Sequence, residues 1–212
     1  MIIVPVAFQA SWVHIHPISA CFFTCLILTI GLHLAINKTG LTSEIGCLLV
    51  GLSGSWLAGS VYWGWMREMP IWHLPIEAMA MPIALFNLKN RWQIASSFYL
   101  ASLAGTALTD CMIVLTGVMN RWPDIVKAEL EEAGPMLHQT ALDLIHPLPL
   151  ISLCIAAILV AIIARKMNSI SLSQPQSSHS WAIASAVLKT TVLVDGLFLI
   201  CSLFQPGLSG LV

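Results

Sequence analysis

Charge is scarce in this chain. Of 212 residues only 9% are Asp, Glu, Lys or Arg, against about 25% in a typical soluble domain, too few to cover an aqueous surface. The formal net charge is −1, which excludes a polyanion-binding face and, with it, nucleic acid as a partner. No H-E-x-x-H, no C-x-x-C, no G-x-S-x-G elbow, no P-loop and no G-x-G-x-x-G occurs. No spacing therefore assigns a metal or a cofactor, and nothing supports hydrolysis by a nucleophile. The six cysteines (Cys21, Cys25, Cys47, Cys111, Cys154 and Cys201) all fall within apolar stretches and read as small buried hydrophobes. The start, MIIVPVAFQASWV, lacks a basic n-region and a clean cleavage site, so it does not read as a cleavable signal peptide.

What is present is hydrophobicity. The chain is 58% apolar with a mean hydropathy of +0.86. A helix that crosses a bilayer needs about 20 apolar residues. Segments 18–36, 45–66, 93–119 and 181–204 meet that length or approach it, and 148–164 is just sufficient. Residues 74–88 are shorter and contain Pro75 and Pro82, the mark of a kinked span or a re-entrant element. Residues 1–13 cannot span alone, and are expected to be a half-helix or the remainder of a longer start. The expected fold is all-α: a single polytopic membrane bundle, 1–212, of six to seven transmembrane or re-entrant segments in a lipid bilayer.

If these elements alternate across the membrane, Lys38, Lys89, Arg91, Arg165 and Lys166 collect on one side, and Arg67, Arg121 and Lys127 on the other. The positive-inside rule then assigns the first group and the N-terminus to the cytoplasm. Trp12, Trp63, Trp65, Trp72 and Trp122 form an aromatic belt at the far face, with Trp92 and Trp181 at the cytoplasmic one. Two stripes of small residues, Gly51/Ser55/Gly59 and Ala101/Gly105/Thr109, suit close helix packing. Residues 120–147 read as an amphipathic extramembrane loop on the non-cytoplasmic side. In it, Pro123 and Pro135 suit first helical positions, Gly134 breaks the chain after AELEE, and Leu137, Ala141, Leu144 and Ile145 mark one face of a short second helix, so that two amphipathic helices lie on the far surface. Residues 165–180 read as a polar cytoplasmic loop.

Against this background the ionisable residues inside the apolar segments stand out. A carboxylate in hydrocarbon costs several kcal/mol unless it is paired, protonated or wet. Glu77 lies about a turn inside its segment. Asp110 lies ~25 Å and Asp195 ~21 Å from the cytoplasmic starts of their helices, at ~1.5 Å per residue. Three acids thus share one level in the far leaflet. His73 and Glu77, at i and i+4, share a helix face. Arg67, Tyr62, Thr106 and Thr109 are expected nearby, with Arg67 as charge partner. The group reads as a polar intramembrane site of Arg67, His73, Glu77, Thr106, Thr109 and Asp110, or as salt bridges that only fix helix register. Lys189 and Asp195 read as a structural ion pair. His14, His16, His138 and His146 also belong to the far side, without a spacing that assigns ligation.

The runs WLAGSVYWGWMREMPIWHLPIEAMAMPIAL (56–85) and FYLASLAGTALTD (98–110) carry a resemblance. The chain resembles the cyanobacterial integral membrane proteins catalogued as domain of unknown function 3120, most strongly over 50–125. The two runs hold Arg67, His73, Glu77 and Asp110, whereas Lys189 and Asp195 lie where the match weakens. The resemblance implies a cyanobacterial thylakoid or plasma membrane and a link to photosynthesis, and it brings no reaction. Family members have a fuller first helix, which leads to the expectation of a missing N-terminal piece here.

The function expected is a non-enzymatic one. It is either a small carrier or an accessory factor acting with photosynthetic membrane proteins, with a buried His/Glu/Asp site near the non-cytoplasmic face. The alternative is an intramembrane enzyme acting on a lipid-soluble isoprenoid, quinone or pigment precursor, with Glu77 or Asp110 as general acid and His73 as its partner.

Overall fold

The computed structural model describes residue 9, residues 12–173 and residues 178–204; among these there is no strand. A helical turn at residues 12–15 precedes α1 (Pro17–Asn37). Then follow α2 (Leu41–Val61), α3 (His73–Glu77), α4 (Met81–Phe86), α5 (Gln93–Leu115), α6 (Trp122–Lys127), α7 (Leu130–Leu144), α8 (Pro147–Ser173) and α9 (Ser178–Phe204). One π-helical turn, Tyr62–Met66, extends α2.

Among the described residues five helices are long and apolar enough to cross a membrane: Pro17–Asn37, Leu41–Met66, Gln93–Leu115, Pro147–Ser173 and Ser178–Phe204. Pro70–Phe86 is a shorter apolar stretch. By length and composition the spans therefore number five, where six to seven segments were expected. The start at 1–13 lies almost wholly outside the described residues. Gln9 is within them, and its side-chain amide donates to the Trp56 carbonyl (2.8 Å) and to Ser60 Oγ (3.0 Å) of α2.

Close backbone approach sets the packing, because in lipid van der Waals contact replaces the hydrophobic drive between helices. Helices α1 and α2 are antiparallel: Trp56 Nε1 donates to the Ala20 carbonyl (2.9 Å) at one end, and Gly46 sits on Gly31 and Ala35 toward the other. A Cβ on Gly46 would lie 2.3 Å from Ala35 N and 2.7 Å from Gly31 O, so only glycine lets these backbones meet. The expected stripes do pack. A Cβ on Gly51 would lie 2.6 Å from Ala95 O of α5, and one on Gly105 would lie 2.5 Å from Thr191 Oγ1 of α9. The Gly31–Gly46 contact, one glycine from each helix, was not legible as a stripe.

Helices α2 and α5 run parallel, since Cys47 packs with Ile94 and Ala95 while Gly54 lies against Tyr99. Helices α5 and α9 are also parallel. Gly105 meets Thr191 and Thr109 meets Asp195, the same 86-residue offset in both pairs (191 − 105 and 195 − 109). Helix α8 returns antiparallel to α9, where Ser185 Oγ donates to the Ala164 carbonyl (2.8 Å).

Two expectations for the connections change. Helix α8 continues through Arg165 and Lys166 to Ser173, and α9 begins at Ser178, so most of the stretch expected as a polar loop at 165–180 is helical. Arg and Lys are good helix formers, and Ser171 Oγ donates to the Ser178 carbonyl (2.8 Å) to close the hairpin. In the far-side loop Pro123 does stand at a helix start, but Gly134 and Pro135 lie inside α7. Pro135 forgoes one backbone hydrogen bond and crowds the Glu131 carbonyl, and burial of Ala133, Leu137 and Ala141 on one face outweighs that cost.

The segment between α2 and α5 is broken. Pro82 has no N–H, and its ring would strike the Ala78 carbonyl in a continuous helix. The Met81 N–H turns to the Ala78 carbonyl instead (2.9 Å), and the Met79 N–H to Ile76 (3.2 Å). The Glu77 carbonyl and the Ala80 N–H are left without a backbone partner. The Tyr99 hydroxyl of α5 takes both, donating to Glu77 O and accepting from Ala80 N (3.1 Å). An orphaned buried backbone group costs about 1–3 kcal/mol, so this one hydroxyl secures the break.

Gly46→Ala is expected to lower stability by about 1–3 kcal/mol through overpacking, read as a fall in the thermal unfolding midpoint in mild detergent. An unchanged midpoint would show that α1 and α2 are not held at backbone contact.

Candidate functional site

Four elements meet where the acids lie. Helix α3 brings His73 and Glu77, the end of α2 brings Tyr62, α5 brings Thr109 and Asp110, and α9 brings Asp195. His73 Nδ1 donates to Asp110 Oδ1 at 2.9 Å, with both side chains largely shielded. The Tyr62 ring stacks on the imidazole, with centroids 4.2 Å apart. That stacking and the Asp110 bond fix the imidazole plane and assign the Nδ1 proton, leaving Nε2 as the nitrogen for other chemistry.

Glu77 is only 6% exposed, one α-helical turn from His73 and within electrostatic reach of both His73 and Asp110. Its Oε2 is buried with no hydrogen-bond partner among the described residues. An ionised carboxylate oxygen buried without a donor is costly. Asp195 accepts the Thr109 hydroxyl (2.7 Å) and lies within electrostatic reach of Asp110. Thr109 also reaches the Gly105 carbonyl (3.2 Å). Glu77 and Asp195 thus both lie within electrostatic reach of Asp110.

Other assignments do not hold. Arg67 is not the charge partner of these acids: its Nη1 donates to His14 Nδ1 (2.7 Å), and its carbonyl accepts the Trp122 indole N–H (3.1 Å). The π-helical turn at the end of α2 precedes it, and the imidazole at residue 14 offers the nearer acceptor. Lys189 and Asp195 form no ion pair. Asp195 is held by Thr109, and Lys189, six residues back along α9, lies exposed. Thr106 is half-buried and makes no side-chain hydrogen bond among the described residues. Of the six expected site residues the structure brings together His73, Glu77, Thr109 and Asp110.

A layer of short helices covers this end of the bundle. Trp122 is buried and packs edge-on to Trp63 (5.9 Å). Lys127 pairs with Glu68 (3.5 Å), Arg121 with Asp143, and His138 Nδ1 donates to the Ser202 carbonyl (3.3 Å). The Arg121 hydrogen bond, its largest influence, holds the Asp143 carboxyl below the ordinary carboxylate range. At the opposite end His179 Nδ1 donates to Glu44 (2.7 Å) and Arg91 lies over the Trp92 ring (4.9 Å). Among the described residues no three His, Cys, Asp or Glu are grouped to hold a metal ion. The cysteines are free; Cys47 alone is buried, and Cys25, Cys111 and Cys154 are exposed.

Reading residues alone missed Tyr99. The signal was its rarity, because the chain has two tyrosines and both, Tyr62 and Tyr99, are buried beside this group.

Asp110→Asn is expected to lower stability by about 1–3 kcal/mol, the range for a charge-assisted hydrogen bond, while Lys189→Ala stays within ~0.5 kcal/mol. Thermal unfolding of both variants checks this, and a large loss in Lys189→Ala would restore the discarded ion pair.

The sequence model of the family described as Protein of unknown function (DUF3120) matches residues 1–203. The chain belongs to that family. No curated protein and no solved structure matches it.

Proposed function

Starting from that membership, we propose that the protein is a small carrier whose working group is His73, Glu77 and Asp110, coupled to the uptake and release of a proton or cation. The observation that supports it is Glu77 Oε2, buried and unpartnered beside an imidazole already committed to Asp110. Acids outnumber bases in the group, and Arg67 is engaged by His14. Charge balance then has to come from outside. A proton or cation on Glu77 makes the closed site tolerable, and its departure favours opening toward water. The short segment that carries Glu77, broken between α3 and α4, is the moving part, in the manner of discontinuous helices in carriers.

The topology proposed is six crossings, five long helices plus the return through residues 70–92, with Lys38, Lys89, Arg91, Arg165 and Lys166 on the cytoplasmic side. The tally of Lys and Arg in the loops supports that orientation. The resemblance supports a cyanobacterial thylakoid or plasma membrane as the location.

Two other readings remain distinct in what they predict. An accessory factor of the photosynthetic membrane would be isolated with stoichiometric pigment or a photosystem subunit. An intramembrane enzyme acting on an isoprenoid, quinone or pigment precursor is favoured by one feature, the His73–Asp110 bond that frees Nε2 for acid–base work. Its loss would accumulate one specific precursor in lipid extracts.

The test is reconstitution into liposomes loaded with the pH dye pyranine, with gradients of protons and of Na⁺, K⁺ or Ca²⁺ imposed. Wild-type protein is expected to move protons, and Glu77→Gln to abolish the movement while keeping its thermal transition. Equal flux in both would remove Glu77 from the mechanism, and no flux in either would contradict the carrier reading.

A further inference from the structure

Helix α3 has only five residues and cannot hold its own position. Its first residue, His73, is tied to Asp110 and stacked on Tyr62. Its last residue, Glu77, is tied through its own carbonyl to the Tyr99 hydroxyl. The same hydroxyl accepts the Ala80 N–H, so one oxygen grips both sides of the break between α3 and α4. Tyr99 is itself immobile. It is 4% exposed and packed with Ala84 and Leu103. Its ring lies against Gly54, where a Cβ would stand 3.1 Å from Cδ2 and 3.2 Å from Cε2. The glycine thus seats the ring, the ring fixes the hydroxyl, and the hydroxyl fixes the backbone of the acid.

We infer that Tyr99 is the positioning residue of the site, a latch that holds the Glu77 carboxyl in register with His73 and Asp110. The inference rests on Glu77 being the acid of the proposed carrier. With the hydroxyl gone, the Glu77 carbonyl and Ala80 N–H lose their shared partner. The break then relaxes, and α3 rotates about its His73 anchor with Glu77 at the free end.

Tyr99→Phe keeps the ring and removes the latch. In the purified full-length protein, the Glu77 carboxyl band in the infrared is identified as the one lost in Glu77→Gln and followed through a pH titration. Its midpoint in Tyr99→Phe is expected to move by about one pH unit, a tenfold change in proton affinity. Proton flux in the pyranine liposomes is expected to fall about tenfold, as misplacement of a reacting group does. A lowered thermal midpoint with an unmoved Glu77 band would reduce Tyr99 to a packing residue and overturn the inference. If Tyr99→Phe does not fold, Gly54→Ala, which presses on the ring and keeps the hydroxyl, is read the same way; an unmoved band there overturns it too. A moved band in a protein whose wild type carries no flux leaves the latch standing and removes the carrier.

Discussion

Two parallel helices cannot be joined by a short turn. Because α2 and α5 run side by side in the same direction, residues 67–92 must bring the chain back along the bundle from the level of Tyr62 to that of Ala35 and Cys47. The contacts trace this path, from His73 at Asp110, past Ala84 at Tyr99 and Leu103, to Arg91 at the Ala35 carbonyl (3.4 Å). At ~1.5 Å per residue an unbroken helix over Pro70–Phe86 would reach roughly 25 Å, short of the ~30 Å of a hydrocarbon core. A segment that is both short and interrupted by prolines leaves backbone groups unpaired, and those must find partners in neighbouring helices. Tyr99 is that partner, and it ties this irregular stretch to the frame of the bundle.

The acid Glu77 is placed by the same constraint. In a continuous helix its carbonyl would be spoken for by residue 81; here Met81 turns elsewhere and Tyr99 intervenes. The group around it has a consistent division of labour. His73 and Asp110 satisfy one another, Thr109 satisfies Asp195, and Arg67 is diverted to His14. Glu77 Oε2 is what remains. A purely structural network would be expected to close on itself, because a half-satisfied buried network is worse than an apolar core. In the proposed function, this unpartnered oxygen is where an exchangeable proton or cation binds.

Much of this was legible in the residues. Long apolar runs announced the five helices, because nothing else accommodates so little charge. Depth counting along the helices, with its nearly constant rise per residue, singled out Glu77, Asp110 and Asp195, and Asp110 lies within electrostatic reach of the other two. The small-residue stripes at Gly51 and Gly105 found their helix partners. What failed depended on rotation about the helix axis or on partners distant in sequence. Arg67 and Lys189 were matched to acids by depth alone, yet the π-helical turn and the angular position on α9 send them elsewhere. The end of α8 and the start of α7 were misread because polar residues suggested a loop at 165–180, and Gly134 with Pro135 suggested a helix start where packing carries the helix back to residue 130. Tyr99 stayed unseen because its role comes from a break in another segment.

The central claim is that Glu77 is an acid that binds an exchangeable proton or cation inside the apolar bundle. Its most direct test is chemical labelling in intact membranes with dicyclohexylcarbodiimide, which partitions into lipid and attacks protonated carboxyls, with the modified peptides mapped by mass spectrometry over a range of pH. Modification is expected at Glu77, faster as pH falls and slowed by a bound cation. Modification confined to surface acids such as Glu44, Glu68 and Glu131, with Glu77 untouched at every pH, would contradict the claim.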